Sequence, residues 1–587
     1  MASFASLPLV AKRNSAFVLA LLLVGCASQP TVPADRGTAD ARAATAPRTA
    51  KTLTLGQLEP IKAFTPETFS STSGGGPSLA EVYLGGLVTG DDSGALVPRI
   101  AARLPSLDDG SISVLPDGRM RTTWKLRTDV RWHDGVPFTA NDVVFSWQVV
   151  ADPTVLAPGP GAPVKSLVDV AEAVDPSTVA ITWKSTYIHA LELGALQLWL
   201  MPSHVLSDAF AADKQTFLSH PFFTTDLVSL GPFRLVDFGE GETMTFERFD
   251  GYFLRPARVD RVVIRSISDH SALMVNLRSG VIDILADRTL ASTMLLPLSA
   301  EWSQSGDGRV LSRQDNWWYL WVQMSPEIAQ PVELARDARV RRGLMHGLDR
   351  ESLRDFIFPG VPRTNADTFM LEGDPRSPIV GQPYARYPYD AERALQQLAE
   401  AGWRRASDGR LLNAIGEQVR IELRGDGPNA PERAAIGSNW RQLGLDVAEV
   451  QVSALLQRDS EYTAHFPAFL ARARGTGDTI FVNFDGRTHS TAANRWNGAN
   501  HGHYANPELD RFIDRLNVTL DERGQAELLR QMGEIMASDL PALPMYYRVS
   551  FAAVVRGVSA LDDYSGTRGP GSAPGLMSRN AHLWDRD

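Results

Sequence analysis

The sequence predicts an α/β protein divided into two or three lobes. Trp124, Leu126, Val130 and Trp132 alternate with polar residues, as in a strand that buries one face. Segments of this kind alternate with segments of helical periodicity along most of the chain. The 587 residues exceed what one hydrophobic core usually supports, and 44% of them are hydrophobic, which is enough apolar surface for several cores.

A turn and a helix follow this first strand pattern. His133-Asp134-Gly135 predicts the turn, because glycine adopts backbone conformations that other residues resist. Thr139 stands three residues before Asp142, a spacing at which the two side chains can cap the first free N–H groups of a helix. Residues 124–147 are therefore expected to be scaffold.

Later helices each show one apolar stripe. After Asp337 we expect a helix with Val340, Leu344 and Leu348 on its buried face. Arg341 lies outside this stripe, so it is expected to be solvated together with the neighbouring arginines. None of the apolar stripes is assigned to ligand binding.

The amino-terminal residues have the layout of an export signal. Lys12 and Arg13 precede an apolar run at 16–24, which is too short to span a bilayer as a helix. The run ends in Leu-Val-Gly-Cys26, which resembles a lipobox, where lipoprotein precursors are acylated on the cysteine and cut before it. We therefore expect a signal peptide at 1–25 and a flexible, lipid-anchored tether at 26–51. Cys26 is the only cysteine, so the chain forms no internal disulfide.

Five segments together resemble one protein family. They are WKLRTDVRWHDGVPFTANDVVFSW at 124–147 and the segments at 231–253, 273–285, 337–353 and 389–403, which read as a hairpin, a helix-turn-strand unit and two helices. In this order they resemble the extracellular solute-binding proteins that serve peptide, nickel and opine importers of the ABC type. The resemblance covers nearly the whole of residues 52–550.

The resemblance implies a two-lobed α/β fold of the periplasmic-binding-protein-like type II, with an extra inserted lobe. Lobe I is expected at 52–89, 229–310 and 545–587, the inserted lobe at 90–228 and lobe II at 311–544. Ligand would lie in the cleft between the lobes, because closure around it signals the bound state. A receptor of this kind can only close if its ligand binds the closed form more tightly than the open form.

The resemblance also implies a function and its partners. We expect an exported, lipid-anchored monomer, periplasmic or on the cell surface, that captures a peptide or peptide-like solute. It would deliver this solute to ABC permease subunits with separate ATPases, and it needs no cofactor. The net charge of −10 argues against nucleic-acid binding.

Residues 466–490 hold the first ligand-binding candidates. In peptide-binding relatives, a segment at this place carries an aspartate that binds the amino terminus of the peptide, and Asp478 matches it. The tryptophan and the Asp-Pro that usually surround this aspartate are absent, so Asp478 is alternatively a turn residue in a glycine-rich loop. Arg472 and Arg474 favour instead a ligand with a carboxylate, which guanidinium binds through two parallel hydrogen bonds.

Aromatic residues and a glycine loop supply further candidates. Trp317 and Tyr319 lie on one face of a predicted strand, and with Trp496 they are predicted to line the cleft. Ser73 and Gly74 begin a loop that in relatives approaches the ligand.

Two other functions stay open. His489, His501 and His503 fall within fifteen positions, which predicts as an alternative a receptor for nickel or another metal complex. An exported hydrolase is the other alternative, although the chain has no G-x-S-x-G, H-E-x-x-H or C-x-x-C pattern. We therefore predict that the protein is not an enzyme.

Overall fold

The structure is a computed structural model. It describes residues 50–65, 75–91, 95–155, 162–361, 365–371, 373–427, 430–561 and 577–587, together with Thr68 and Tyr564. The predicted signal peptide, Cys26, nearly all of the tether and the loop residues Ser73 and Gly74 lie outside the described residues. Residues Ala50–Asp587 form one compact unit. In the described ranges, no helix is both long and apolar enough to cross a membrane.

Strands and helices alternate along the chain, as predicted. The strands are β1 Thr52–Gln57, β2 Val88–Gly90, β3 Leu96–Pro98, β4 Ile112–Val114, β5 Met120–Lys125, β6 Val168–Asp175, β7 Thr178–Trp183, β8 Phe233–Asp237, β9 Thr243–Arg248, β10 Arg261–Ser266, β11 Ile284–Leu285, β12 Gly308–Val322, β13 Arg404–Arg405, β14 Leu411–Leu412, β15 Arg420–Gly425, β16 Asp446–Gln451, β17 Phe469–Arg474, β18 Ala542–Val555, β19 Val558–Ser559 and β20 Asp585–Arg586.

The helices flank these strands. They are α1 Ala140–Ala151, α2 Ala162–Leu167, α3 Ser203–Ala212, α4 His270–Arg278, α5 Ser292–Ser305, α6 Glu333–Arg336, α7 Ala338–His346, α8 Arg350–Ile357, α9 Ser377–Val380, α10 Ala391–Glu400, α11 Ala430–Gln442, α12 Ala454–Gln457, α13 Ser460–Ala464, α14 Pro507–Val518 and α15 Glu522–Asp539.

A ten-stranded sheet forms the centre of the fold. Its order is β16-β15-β17-β12-β18-β11-β1-β10-β9-β8. The two longest strands, β12 and β18, pair antiparallel in the middle of the sheet, from Gly308 opposite Val555 to Trp321 opposite Ala542. The register shifts between Gln314 and Trp317, where the pairing is irregular. These two strands therefore connect the strands on either side of them.

A separate four-stranded sheet, in the order β4-β5-β7-β6, lies between β3 and β8 in the chain. The turn predicted before α1 is present, and Gly135 has a φ of 90°. Thr139 and Asp142 form the predicted capping box at the start of α1, with the Thr139 N–H donating to Asp142 Oδ2 at 2.9 Å. Both local predictions are confirmed.

Three hydrophobic cores support these sheets. The first contains Trp317, Tyr319 and the side chains around β12, β15, β17 and β18. The second surrounds β1, β9 and β10, and the third fills the four-stranded sheet with Trp124, Trp132 and Trp183. Helix α1 contributes to two cores, because Val149 belongs to the second and Val143 to the third. The lobe boundaries given above remain a prediction.

The expectation for Arg341 is wrong. Helix α7 buries Val340 and Leu344 as predicted, but Arg341 is also buried. Its Nε donates to the Asp539 carbonyl at 2.6 Å, and its Nη1 donates to the Leu334 carbonyl at 2.5 Å. The opposite face of α7 is therefore covered by the end of α15, which a single-helix pattern does not show.

Candidate functional site

Asp478 lies in a buried ion-pair network. It follows β17, in the first turn of the 3₁₀ segment Gly477–Asn483, and its side chain is 2% exposed. Arg376 Nη1 donates to Asp478 Oδ2 at 2.7 Å and to Gln525 Oε1 at 3.1 Å. The same guanidinium forms two bonds with Asp374, at 3.0 and 2.8 Å. Arg376 thus fixes one oxygen of Asp478.

The other oxygen of Asp478 faces a histidine from a distant part of the chain. His189, in the loop after β7, places Nε2 at 3.7 Å from Asp478 Oδ1, and its Nδ1 lies 2.6 Å from Glu192 Oε1. Tyr187 contacts the ring of His189, with centroids 5.6 Å apart. Asp478 Oδ1 itself is buried and accepts no hydrogen bond from the described residues.

The charges of this network stabilise one another. Burial disfavours the imidazolium of His189, but the Glu192 hydrogen bond and the charge of Asp478 outweigh burial and raise the pKa of His189 to about 9. Burial would raise the pKa of Asp478, but the charges of His189 and Arg376 hold it below its usual value. Both groups are therefore ionised at neutral pH, with Arg376 and Glu192 as their partners.

A second group of candidates lies on one face of the central sheet. Residue pairs that stand opposite each other in antiparallel strands share a face. Trp317 is opposite Arg474, and Tyr319 is opposite Arg472, so strands β12 and β17 present all four side chains on the same side. Trp317 and Tyr319 are fully buried, and we call this side of the sheet the arginine-aromatic face. Trp321, two residues after Tyr319, belongs to the same face.

Several buried donors on the arginine-aromatic face have no acceptor among the described residues. Buried polar groups in folded proteins are nearly always hydrogen-bonded, so each exception needs an explanation. Within the described residues, no acceptor is present for four buried donors of this face or for the hydroxyl of Tyr384, whose ring centroid lies 6.1 Å from that of Trp317. The four donors are Trp317 Nε1, Tyr319 Oη, Trp321 Nε1 and Arg472 Nε.

The electrostatics of this face favour an anion. Burial lowers the pKa of Arg472, and the charge of Arg474 lowers it further, while Asp426 acts in the opposite direction. The guanidinium of Arg474 lies over the ring of Trp321, 5.6 Å from its centroid. Burial also raises the pKa of Tyr319, although both arginines oppose that shift. A negative group placed here would relieve the repulsion between the two arginines.

The two sets of candidates are neighbours without a direct bond. Phe484 directly follows the 3₁₀ segment that contains Asp478, and its ring centroid lies 6.0 Å from that of Tyr319. No ion pair in the described part of the chain joins Asp478 to Arg472 or Arg474, which the sequence had placed together. Trp496 is half-buried, and its ring centroid lies 4.5 Å from that of His465; among the described residues, no ring contact joins it to Trp317 or Tyr319.

The three histidines proposed as metal ligands lie near one another, with the ring centroids of His489 and His503 5.5 Å apart, but each makes other contacts. His489 and His503 place their Nε2 atoms 2.9 Å from the carbonyl oxygens of Tyr504 and Ser490. His501 stacks on Trp321, with centroids 5.3 Å apart, and burial lowers its pKa to about 4. Among the described residues, no group of three or more histidine, cysteine or acidic side chains could hold a metal ion.

A cavity of about 470 Å³ adjoins the arginine-aromatic face. Tyr547, which lines it, stands opposite Trp317 in the sheet, and Gln314 lines it just before the irregular pairing of β12. Gln382, two residues before Tyr384, also lines it. The volume is within the roughly 300–1,000 Å³ that is common for small-molecule sites.

Sequence reasoning did not find several members of this site. Arg376 and His189 were not singled out, because each is far from Asp478 in the chain and neither belongs to a recognisable motif. Gln314, Gln382 and Tyr384 also carried no signal, since isolated amides and tyrosines are common on any surface. An alternating strand pattern did identify Trp317 and Tyr319.

The family of the chain follows from a match over most of its length. The model of "Bacterial extracellular solute-binding proteins, family 5 Middle" matches residues 96–493. This range exceeds half of the chain, which therefore belongs to the family of bacterial extracellular solute-binding proteins. This is a family of solute-binding proteins rather than enzymes, which agrees with the predicted class.

Individual relatives and a solved structure agree with this assignment. Protein XP55 of Streptomyces lividans is 27% identical over 481 residues, which cover 81% of this chain and 80% of that protein. The oligopeptide-binding protein AppA of Bacillus subtilis is 23% identical over 449 residues, covering 73% of this chain and 76% of that protein. The structure of NikZ from Campylobacter jejuni in complex with Ni(L-His) has a TM-score of 0.67 at 20% identity, covering 92% of this chain and 100% of that one. The predicted fold class is confirmed.

Proposed function

We propose that this protein is the receptor of an ABC importer and captures peptides or peptide-like solutes beside the arginine-aromatic face. The observation that carries the proposal is the concentration of buried donors at Trp317, Tyr319, Trp321 and Arg472 for which the described part of the chain offers no acceptor. A ligand carboxylate is the group that matches them, because it only accepts hydrogen bonds and carries the charge opposite to that of the arginines. Membership of a solute-binding family and the similarity to an oligopeptide-binding protein support the same function.

Asp478 supplies the second pole of the proposed site. Its Oδ1 is a buried acceptor that accepts no hydrogen bond from the described residues and faces the His189 imidazolium at 3.7 Å, while its Oδ2 is already bound by Arg376. We assign Oδ1 to the ammonium group of a peptide, whose carboxylate would lie at the arginines. The sequence left open whether the site binds an amine or a carboxylate. Under this assignment it binds both, the amine at Asp478 and the carboxylate at the arginines.

Calorimetric titration with one pentapeptide and its carboxyl-terminal amide tests the proposal. The free carboxylate should bind the wild-type protein more tightly, because the amide removes the negative charge. Replacement of Arg472 by alanine should weaken binding of the carboxylate form by about 2–5 kcal/mol and remove the difference between the two peptides. The control is Arg410→Ala, since Arg410 is exposed and pairs with Asp408 at 2.6 Å. Equal affinities of Arg472→Ala and wild type for both peptides would contradict the assignment.

Direct metal binding is not favoured by the histidines. The imidazoles of His489 and His503 are bonded to backbone carbonyls, and His501 is stacked on Trp321. The metal in the similar NikZ structure is in a complex with histidine, an amino acid. Titration with nickel alone, with free histidine and with both together would test whether this protein binds a ligand of that kind.

We also propose that the mature protein is a lipoprotein that begins at Cys26 and delivers its ligand to a permease with separate ATPases. The lipobox-like Leu-Val-Gly-Cys26 sequence supports acylation, and membership of an extracellular family supports export. Replacement of Cys26 by serine should abolish labelling by a fatty-acid probe and release the protein from the membrane fraction. Unchanged labelling and membrane retention of Cys26→Ser would contradict the lipid anchor.

A further inference from the structure

We propose that the cavity beside Trp317 is a specificity pocket for an uncharged, hydrogen-bonding side chain of the ligand, with a carboxamide as the best fit. This inference rests on the proposed function as a peptide receptor. It concerns the cavity of about 470 Å³, which we call the amide pocket, and which is separate from the groups assigned to the ends of the peptide.

The position of the amide pocket suits a side chain of a ligand bound at the arginine-aromatic face. Tyr547 forms part of its wall and stands directly opposite Trp317. The Tyr547 hydroxyl lies 2.7 Å from the carbonyl oxygens of both Thr368 and Met370, which ties residues 365–371 to β18. Asn365 extends this attachment, since it forms a β-bridge with Tyr546. The pocket is therefore built from one rigid strand and a segment fixed to it.

The charged residues of the pocket are already neutralised. Arg354 donates from Nε and Nη2 to Asp355 Oδ1, at 2.9 and 2.6 Å. Asp367 accepts from Arg350 Nη2 at 2.9 Å. A charged ligand side chain would thus lose water without gaining an ion pair, which is costly. The pocket lining accordingly disfavours lysine, arginine, aspartate and glutamate side chains.

The uncharged residues of the pocket supply both donors and acceptors. Amides and hydroxyls line it at Gln314, Asn365, Thr368, Ser377 and Gln382. Asn365 Oδ1 is buried and has no hydrogen-bond donor among the described residues. A carboxamide offers an NH₂ to this oxygen and a carbonyl oxygen to the neighbouring donors. An apolar ligand side chain would leave Asn365 Oδ1 unsatisfied.

Titration with a series of alanine pentapeptides tests this inference. Each peptide carries a single glutamine, glutamate, lysine or leucine, placed in turn at every position. For at least one position, the glutamine peptide should bind wild type about tenfold more tightly than the leucine, glutamate and lysine peptides. A serine series tests whether the preference is for a carboxamide or for any uncharged polar group. Equal affinity of the serine and glutamine peptides would contradict a specific fit to the carboxamide.

Substitutions at the pocket give the decisive comparison. Asn365→Leu should remove the preference for glutamine, and Asn365→Asp should move the preference toward lysine. Gln382→Leu is a second variant at an exposed position, where folding is not at risk, and it should reduce the same preference. The control is Gln418→Leu, at an exposed residue of a different cavity of about 480 Å³, and this variant should keep the wild-type preference.

The possible failures are distinguishable. If wild type binds all peptides of the series with equal affinity, or if both Asn365 variants and Gln382→Leu keep the wild-type preference, the amide pocket is overturned while the receptor function stands. If wild type binds no peptide of the series or of a random pentapeptide mixture, the proposed function is overturned, and the amide pocket with it.

Discussion

At Asp478, one carboxylate meets cationic side chains from two distant parts of the chain. Arg376 is 102 positions away and binds Oδ2, and His189 faces Oδ1 from the loop after β7. The sequence drew attention to Asp478 but left its role open between a ligand anchor and a turn residue. It could not settle the matter because the environment of a buried carboxylate is set by tertiary partners, and those partners lie in unrelated segments.

His189 predicts a dependence of stability on pH. Its pKa in the folded protein is about 9, above the value near 6.5 expected in the unfolded chain. The folded state therefore binds the proton more tightly, so this stabilisation is complete below about pH 6.5 and is lost as the pH rises through about 9. Replacement of His189 by glutamine should lower the free energy of unfolding by up to about 3 kcal/mol near pH 6 and by much less near pH 10.

Urea denaturation of both proteins across this pH range measures the effect. His204→Gln is the matched control, because His204 also pairs with a carboxylate, that of Asp134 at 2.7 Å, but on a more exposed surface. The control should show a smaller change. A difference between wild type and His189→Gln that stays constant from pH 6 to pH 10 would contradict the assigned ion pairs.

Elements that depend on local signals were predicted well. The Thr139–Asp142 capping box, the Gly135 turn and the helix predicted within 389–403, which is Ala391–Glu400 in the structure, follow from interactions within a few residues. Arg341 was predicted wrongly, because the face of α7 that carries it is covered by the carboxyl end of α15. Packing between distant elements decides which helix faces are covered, and the sequence of a single helix does not reveal its packing partners.

The start of β8 supplies a prediction at the same scale. Gly231 precedes this strand, and its N–H donates to the Tyr83 carbonyl at 2.9 Å. A Cβ at Gly231 would lie 2.3 Å from the carbonyl carbon of Tyr83, which is backbone and cannot move aside. Gly231→Ala should therefore lower the free energy of unfolding by about 3 kcal/mol.

Thermal and urea denaturation measure this loss. Gly475→Ala is the control, since the nearest atom to its added Cβ is the Thr479 hydroxyl oxygen at 3.3 Å, on a side chain that can rotate. Gly475→Ala should unfold close to wild type. If Gly231→Ala were as stable as this control, the close contact between the backbones of Gly231 and Tyr83 would be contradicted.

At the scale of the whole molecule, the position of β12 and β18 determines where the candidate site lies. These strands lie in the middle of the ten-stranded sheet, and the candidate site lies along them, at Gln314, Trp317 and Tyr547. The family resemblance predicted a ligand cleft between two lobes, but the sequence did not show that β12 and β18 would carry the pocket. That result required the register of β12 against β17 and β18.

The proposed receptor function predicts closure on binding. Ligand contacts with both sides of the cleft favour the closed form, because binding shifts the equilibrium by the difference in affinity for the two forms. Small-angle scattering should show a smaller radius of gyration at saturating pentapeptide than in its absence. The Arg472→Ala variant at the same peptide concentration is the control, and it should remain nearer to the unliganded value. An unchanged radius for saturated wild type would contradict closure.

Native mass spectrometry of wild type incubated with a mixture of pentapeptides tests the central claim most directly. We expect complexes of one protein with one peptide, with the bound peptide recovered at its original mass after long incubation. The Arg472→Ala protein should carry much less peptide under the same conditions. Absence of any bound peptide from wild type, or the accumulation of shortened peptides in proportion to protein and time, would contradict a receptor that binds peptides without transforming them.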